Sequence, residues 1–320
     1  MGLLVDGKWH DDAEDIKSDA EGRFIRKESQ FRRWVTSDGS AGPTGDRGFK
    51  AEPNRYHLYV SYACPWANRA LIMRKIKGLE DMISVSVVNP YRENKGWTFE
   101  PEDGVVPDPV MDATYLYQIY QKADPSYSGR VSVPVLFDLK EETIVNNESA
   151  DIIRIFNTAF NHLGADDYDY RPDHLVGEID AINEKVYHEV NNGVYKAGFA
   201  TKQDVYEEEV TKLFESLDML EKRLASQKYL VGDVLTEADW RLFTTLIRFD
   251  SVYHGHFKCN LKRLTEYPNL WHYTKVLYNY PGVAETVNFK HIKDHYYKSH
   301  KNINPNGIVP AGPELDLTLD

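Results

Sequence analysis

Apolar and polar residues follow different periods in the two halves of this 320-residue chain. In the first half, residues 56–60 and 82–88 form short runs rich in aromatic and β-branched residues, which is typical of strands. A helix is predicted between them over 66–77, with Gly78 at its end. After about residue 166, the pattern indicates helices alone.

A long insertion over residues 90–130 interrupts the strand region and contains a predicted helix over 114–122. Residues 131–137 and 142–145 then predict an antiparallel hairpin, and Ser149 opens a helix. The order strand, helix, strand, insertion, hairpin, helix predicts a mixed sheet with helices packed on it.

The second half shows the 3.6-residue spacing of amphipathic helices, most clearly over residues 205–224. Thr236 and Asp239 have the spacing of an N-terminal capping box, in which the carboxylate bonds the threonine amide. The remaining predicted segments are helices over 240–249, 269–278 and 283–298, and a tail over the last twenty residues.

These patterns predict three parts: an extended arm over 1–50, a sheet-containing domain over 51–165 and an all-helical domain with a C-terminal tail over 166–320. The net charge of −12 argues against nucleic-acid binding, because phosphate contacts need a basic surface. No apolar run reaches the roughly 18 residues that would span a membrane. With no signal peptide and two cysteines, a cytoplasmic protein with reduced thiols is expected.

Cys64 lies where a predicted strand passes into a predicted helix, immediately before Pro65. The unpaired N–H groups of a helix N-terminus favour an anion, so they lower the pKa of a thiol placed there. A thiolate attacks disulfides, whereas most free cysteines are small core residues. Position alone leaves both interpretations open.

The tetrad Cys64-Pro65-Trp66-Ala67 favours the reactive interpretation. Two-cysteine redox proteins carry a second cysteine three positions after the first, and that residue resolves a mixed disulfide internally. Here Ala67 takes that position, and Cys259 lies in the helical half. A lone thiolate needs an external thiol for its release, which in the cytosol is usually glutathione.

The chain also resembles a known family over about residues 30–310. The segments that carry the resemblance are Ser-Tyr-Ala-Cys-Pro-Trp-Ala at 61–67, Gly-Trp-Thr-Phe at 96–99, Val-Pro-Val-Leu at 133–136, Asn-Glu-Ser-Ala at 147–150, Tyr-Leu-Val-Gly at 229–232 and Leu-Thr-Glu-Ala-Asp-Trp-Arg at 235–241. They resemble glutathionyl-hydroquinone reductases, the Xi class of glutathione transferases. The resemblance implies α/β plus all-α architecture: a thioredoxin-like N-terminal domain, an all-helical glutathione-transferase C-terminal domain and an active site in the cleft between them.

Roles for individual residues follow from the same resemblance. Cys64 resembles the nucleophile, and Tyr195 resembles the proton donor to the leaving carbon. Tyr253 and Tyr296 resemble hydrogen-bond donors to the thiolate, with Tyr297 as an alternative to Tyr296. The residues that resemble the glutathione-binding set are Trp97, Arg130, Val133, Pro134, Glu148 and Ser149.

Within that set, Pro134 matches the cis-proline of thioredoxin-like folds, which exposes the Val133 backbone to the cysteinyl group of glutathione. Glu148 and Ser149 match the pair that holds the γ-glutamyl end.

The implied reaction is reduction of S-glutathionyl-hydroquinones, in which Cys64 attacks the glutathione sulfur and a second glutathione resolves the mixed disulfide. The implied partners are glutathione, glutathionylated aromatic molecules and a second copy of the chain in a homodimer. No nucleic acid, membrane or metal partner is expected. His291 and His295 lie four residues apart without a third ligand at a recognisable spacing, so we expect a solvated helix face there.

Two alternatives stay open. One is a broader thioltransferase or dehydroascorbate reductase that shares the same intermediate. The other is a non-catalytic glutathione-transferase-like module used for binding.

Overall fold

The computed structural model describes residues 2–11 and 18–319, which form two compact units. The first unit gathers residues 2–11, 28–168 and 286–301, and the second gathers residues 18–27, 169–285 and 302–319. Each unit therefore combines segments that are remote in sequence. The contiguous domain boundaries near residues 50 and 165 stay a prediction, since these units are defined by packing alone.

The first unit contains the described strands. In chain order they are β1 (Leu3–Val5), β2 (Lys8–His10), β3 (Val35–Thr36), β4 (Phe49–Lys50), β5 (Tyr56–Val60), β6 (Ile83–Val87), β7 (Val135–Asp138) and β8 (Thr143–Asn146). The predicted arm thus includes two small sheets, an antiparallel pair β1–β2 and a parallel pair β3–β4.

The main sheet has the order β6-β5-β7-β8 and is mixed, as predicted. Strand β5 runs parallel to β6 and antiparallel to β7, which pairs antiparallel with β8. All five residues of β5 are buried, as expected for a strand covered on both faces. Strand β7 begins at Val135 rather than at Val131, because Pro134 has no N–H to give to the ladder.

Three helices of the first unit follow the predicted order: α1 (Pro65–Ile76), α2 (Leu116–Ala123) and α3 (Ser149–Thr158). Helices α1 and α3 pack against each other. Helix α1 ends near Gly78, whose φ of +64° lies in the left-handed region that favours glycine. The prediction of a helix closed by Gly78 is therefore confirmed to within one or two residues.

The second unit is helical, as its periodicity predicts. Its α-helices are α4 (Val176–Lys185), α5 (Gly193–Gly198), α6 (Gln203–Leu224), α7 (Glu237–Leu246), α8 (His254–His256) and α9 (Pro268–Tyr278). Two π-helical segments, Val186–Asn191 and Phe249–Tyr253, precede α5 and α8. The chain also has short 3₁₀ segments, namely Asn161–Leu163, Asp173–Leu175, Leu264–Glu266 and Ala284–Thr286.

The single helix predicted over residues 283–298 is wrong. A 3₁₀ turn over Ala284–Thr286 is followed by a separate helix, α10 (Phe289–Ser299), which belongs to the first unit. The break has a local cause, because the Asn288 side chain accepts a hydrogen bond from the His291 N–H and so starts a new helix. In the described ranges, no helix has the length and apolar character needed to cross a bilayer.

Asp239 joins three segments of the second unit through its buried carboxylate. Its Oδ2 accepts a hydrogen bond from the Thr236 N–H at 2.8 Å, which confirms the predicted capping box at the start of α7. Its Oδ1 accepts from the Leu230 N–H and from the Tyr273 hydroxyl, each at 2.8 Å. The carboxylate therefore ties α7 to α9 and to the preceding loop.

Replacing this carboxylate by an amide should destabilise the protein. In an Asp239→Asn variant the Thr236 N–H loses its acceptor, so the free energy of unfolding should fall by about 1–3 kcal/mol. Urea denaturation followed by circular dichroism measures the change. Asp233→Asn is the matched control, because Asp233 is exposed on the same loop, and its effect should stay within about 0.5 kcal/mol. Equal losses of unfolding free energy in the two variants would contradict the stabilising role assigned to the Asp239 carboxylate.

Candidate active site

Cys64 is the N-cap residue of α1. Its backbone is extended, with φ −77° and ψ 119°, and Pro65 occupies the first turn of the helix. The Cys64 Sγ accepts a hydrogen bond from the Ala67 N–H at 3.5 Å and lies 3.6 Å from the Val133 carbonyl oxygen. The half-buried sulfur therefore sits at the positive end of α1, where the first-turn N–H groups and the helix dipole favour an anion.

A buried arginine links the first turns of α1 and α3. The Arg69 guanidinium lies 4.4 Å from the centre of the Trp66 ring, and its Nη1 is 3.5 Å from the Ser149 Oγ. Only 1% of Arg69 is exposed, so its charge acts in a medium that screens it poorly. The tetrad at 64–67 and the Glu148-Ser149 pair are thus coupled by one cation. The sequence pattern did not single out Arg69, although this residue follows Trp66 at the i, i+3 spacing that places two side chains on one helix face.

The Val133–Pro134 peptide bond is cis, in agreement with the resemblance. The Val133 side chain is buried, and its carbonyl faces Cys64 Sγ. Among residues 2–11 and 18–319 no hydrogen bond to the Val133 N–H is found. This N–H is therefore available to an extended ligand beside the sulfur.

Glu148 is the N-cap residue of α3. Its Oε1 accepts from the Ala150 N–H at 3.1 Å and from the Ser149 hydroxyl at 3.3 Å, and its Oε2 accepts from the Ser29 hydroxyl at 3.0 Å. Ser149 is 3% exposed. The carboxylate is thus held in place by three donors, and the N-terminus of α3 presents a second cluster of N–H groups within the first unit.

Trp97 lies in the insertion and packs against α10. Its ring stacks on His295 with 4.9 Å between ring centres, and the Arg92 guanidinium lies 5.3 Å from the Trp97 ring centre. The His295 Nδ1–H donates to the Pro90 carbonyl at 2.9 Å. Only 5% of Trp97 is exposed, so its position is set by packing.

The expectation of a solvated face for His291 and His295 is wrong. His291 is fully buried and bonds the Asp103 carbonyl through Nε2, while His295 bonds Pro90 and stacks on Trp97. Helix α10 packs against the insertion, which covers this face. Within the described residues, no cluster of three or more His, Cys, Asp or Glu side chains could hold a metal ion.

The other predicted residues of the first unit are Arg130 and Tyr296. Arg130 is half-buried at the end of the insertion, and its carbonyl accepts from the Tyr127 hydroxyl at 2.9 Å. Tyr296 is 1% exposed on α10 and packs edge-on against His295 and His300. Tyr296 thus belongs to the same unit as Cys64, although its sequence position is in the helical half.

Tyr195 and Tyr253 belong to the second unit. Tyr195 is half-buried on α5 and Tyr253 is fully buried in the second π-helical segment, with 6.1 Å between their ring centres. Phe257 contacts both rings, at 5.4 Å from Tyr195 and 5.7 Å from Tyr253. Two of the three tyrosines singled out by the resemblance, Tyr195 and Tyr253, therefore share one aromatic cluster.

Cys259 is a free thiol enclosed in the second unit. It is 0% exposed, and its nearest polar contacts are the carbonyls of Val194 at 3.9 Å and Phe257 at 3.8 Å. Burial raises the pKa of the Cys259 thiol well above its ordinary value. Cys259 is therefore a core residue in the folded protein.

The two thiols should differ sharply in reactivity. Limiting iodoacetamide at neutral pH should alkylate Cys64 and spare Cys259, because Cys259 is enclosed and its raised pKa keeps it protonated. Peptide mapping by mass spectrometry measures the modification at each site. In urea both cysteines should react, which serves as the control. Labelling of both thiols at similar rates in the folded protein would refute this difference.

Comparison with known proteins places these features in a family. The models for the glutathione S-transferase N-terminal and C-terminal domains match residues 63–159 and 203–275. The glutathionyl-hydroquinone reductase YqjG of Escherichia coli K12 is 58% identical over 318 residues, which are 99% of this chain and 97% of that protein.

Solved structures agree with the sequence match. The glutathione-bound structure of Escherichia coli K-12 YqjG has a TM-score of 0.92 at 55% identity and covers 99% of this chain and 97% of its own. A Xi-class glutathione transferase from Natrialba magadii has a TM-score of 0.91 at 48% identity, with 100% and 95% covered. The predicted fold class, a thioredoxin-like domain followed by an all-helical glutathione-transferase domain, is confirmed. The chain belongs to the glutathionyl-hydroquinone reductases, the Xi class of glutathione transferases.

Proposed function

We propose that this protein reduces S-glutathionyl-hydroquinones to hydroquinones, with glutathione as its co-substrate. The observation that carries the proposal is the Cys64 sulfur at the N-terminus of α1, within 3.5 Å of the Ala67 N–H. Ala67 fills the position where a resolving cysteine would stand, so an external thiol has to complete the cycle. Relatives that share more than half of the sequence are named for this reaction.

The first half-reaction transfers glutathione to the enzyme. The Cys64 thiolate attacks the glutathione sulfur of the substrate, so a sulfur–sulfur bond forms and the bond from sulfur to the aryl carbon breaks. The electron pair of the broken bond stays on that carbon, which takes a proton from the Tyr195 phenol. The products are the free hydroquinone and a Cys64–glutathione mixed disulfide, and the Tyr195 phenolate regains its proton from solvent.

The second half-reaction restores the thiolate. A second glutathione, as its thiolate, attacks the glutathione sulfur of the mixed disulfide and releases the Cys64 thiolate with oxidised glutathione. Over the cycle the aryl carbon gains two electrons and two glutathione sulfurs lose them. Tyr253 and Tyr296 are proposed to donate hydrogen bonds that favour the ionised sulfur, since bonds to charged groups are the stronger kind.

Glutathione itself is proposed to lie along the first unit. The Val133 N–H beside Cys64 would donate a hydrogen bond to the backbone of the glutathione cysteinyl residue. Proteins that bind a peptide along the edge of a β-sheet use the same kind of backbone hydrogen bond. The Ser149 hydroxyl and the N-terminus of α3 would hold the γ-glutamyl carboxylate, with Glu148 on its amino group. Trp97 and Arg130 would contact the rest of the tripeptide, as the family resemblance implies.

Removing the nucleophile should abolish turnover. Cys64→Ala should slow hydroquinone release by at least about 1,000-fold, because no other group can form the mixed disulfide. Release is measured by chromatography of the products. With the unsubstituted enzyme and one equivalent of substrate, mass spectrometry should find one glutathione on Cys64. Cys259→Ala is the matched control and should keep its turnover; full activity of Cys64→Ala would rule out the mechanism.

Ser149→Ala tests the glutathione site separately. Loss of a hydrogen bond to a carboxylate removes about 1.5–3 kcal/mol, which raises the dissociation constant of glutathione about 10- to 100-fold. Titration calorimetry on a Cys64→Ala background measures this dissociation constant in the absence of turnover. Ser226→Ala, an exposed serine of the second unit whose hydroxyl bonds the Arg223 carbonyl, is the control and should leave affinity unchanged. Equal affinities in the two variants would count against this site.

We also propose that the protein acts in the cytoplasm as a homodimer. The free thiols of Cys64 and Cys259 fit a reducing compartment, where the glutathione pool that the cycle consumes is held reduced. Light scattering after size exclusion would give twice the 36.9 kDa chain mass for a dimer.

A further inference from the structure

Residues 18–27 of the N-terminal arm belong to the second unit and pack beside α5, the helix that carries Tyr195. The Ser18 hydroxyl donates to the Phe199 carbonyl at 3.0 Å, and the Thr201 N–H donates to the Gly22 carbonyl at 3.2 Å. Arg23 forms ion pairs with Glu208 at 2.6 Å and Glu209 at 3.2 Å on α6. The arm segment is thus fixed at several points to residues that follow Tyr195 in the chain.

Two residues of this segment contact the Tyr195 ring directly. Phe24 stacks on Tyr195 with 6.0 Å between ring centres and on Phe199 with 5.7 Å. The Arg26 guanidinium lies 5.0 Å from the centre of the Tyr195 ring and 5.2 Å from that of Phe24. Arg26 therefore has an aromatic neighbour in its own segment and another in α5.

Arg26 is also anchored to the start of α5. Its Nε donates a hydrogen bond to the Asn192 Oδ1 at 2.5 Å, and Asn192 is the residue immediately before the helix. Asn192 is itself buried, which gives the guanidinium a fixed acceptor. Asn192 lies three residues before Tyr195, so this hydrogen bond holds the Arg26 guanidinium at the Tyr195 ring.

A cation in this position has two physical effects on a phenol. The guanidinium is attracted to the negative face of the ring, so it restricts where the ring can lie. Its positive charge also favours a phenolate over a neutral phenol, because opposite charges stabilise each other at short range. Both effects serve a group that must deliver its proton from a fixed position.

We propose that Arg26 is the positioning residue for Tyr195, holding the ring and stabilising the phenolate that forms when Tyr195 protonates the aryl carbon. The arm is then a functional part of the enzyme. This inference rests on the proposed function, since it needs the first half-reaction to pass through Tyr195. The second half-reaction exchanges disulfides without any proton transfer to carbon, so Arg26 has no part in it.

The test compares the two half-reactions in an Arg26→Met variant. A single turnover with an S-glutathionyl-hydroquinone measures hydroquinone release, and glutathione added to the preformed Cys64–glutathione disulfide measures the second step. Release should slow about tenfold or more, while the second step keeps its rate. Arg26→Lys should recover part of the loss, since it restores the charge without the planar stack and the Asn192 bond.

Two further variants separate positioning from general support of the arm. Arg23→Met removes the two ion pairs that Arg23 of the same segment forms with α6, without touching Tyr195, and it should leave hydroquinone release unchanged. In a Tyr195→Phe background, Arg26→Met should cause no further loss, because the group it assists is gone.

Several results would overturn the inference. The inference is wrong if Arg26→Met slows both half-reactions by the same factor. It is also wrong if Arg26→Met slows hydroquinone release as much in the Tyr195→Phe enzyme as in the unsubstituted enzyme, or if Arg23→Met slows release as much as Arg26→Met does. Normal release by Arg26→Met would overturn this inference alone. Failure of the unsubstituted enzyme to release hydroquinone would overturn the proposed function as well.

Discussion

The proposed chemistry of this protein depends on one sulfur atom at the N-terminus of one helix. Cys64 Sγ accepts a hydrogen bond from the Ala67 N–H and sits at the positive end of α1, beside the N–H groups of the first helical turn. A helix N-terminus favours an anion, which is the form of the sulfur that the proposed cycle needs. Strand β5 is central and completely buried, which fixes the turn that leads into α1. A displaced turn would separate the sulfur from those N–H groups and remove the stabilisation.

A second helix N-terminus lies in the same unit as the first. Helix α3 packs against α1, and the buried Arg69 contacts Trp66, two residues after Cys64, and Ser149 at the start of α3. Two sites that favour anions are thus coupled through one cation. This arrangement suits a ligand that carries both a sulfur and a carboxylate, which is the chemistry of glutathione.

Tyrosines from both units take part in the proposed cycle, and each packs against other aromatic rings. Tyr296 packs against His295 of α10 and His300 just after it, whereas Tyr195 contacts Phe24, Phe257 and the Arg26 guanidinium. The neighbours of Tyr195 include residues about 170 positions away in the chain. An arm that shows no periodicity in the sequence therefore gains a structural role through packing.

The sequence by itself determined the order of strands and helices along the chain, the helical second half, the helix-terminal Cys64 and the Thr236–Asp239 cap, because each depends on neighbours only a few residues apart. The family resemblance added the proposed catalytic tyrosines and the proposed glutathione-binding residues, which no local pattern distinguishes. Only the tertiary structure decided the burial of His291, the position of α10 in the first unit and the contact of Arg26 with Tyr195. These features join segments that are remote in sequence, and the pairing of such segments depends on packing in three dimensions.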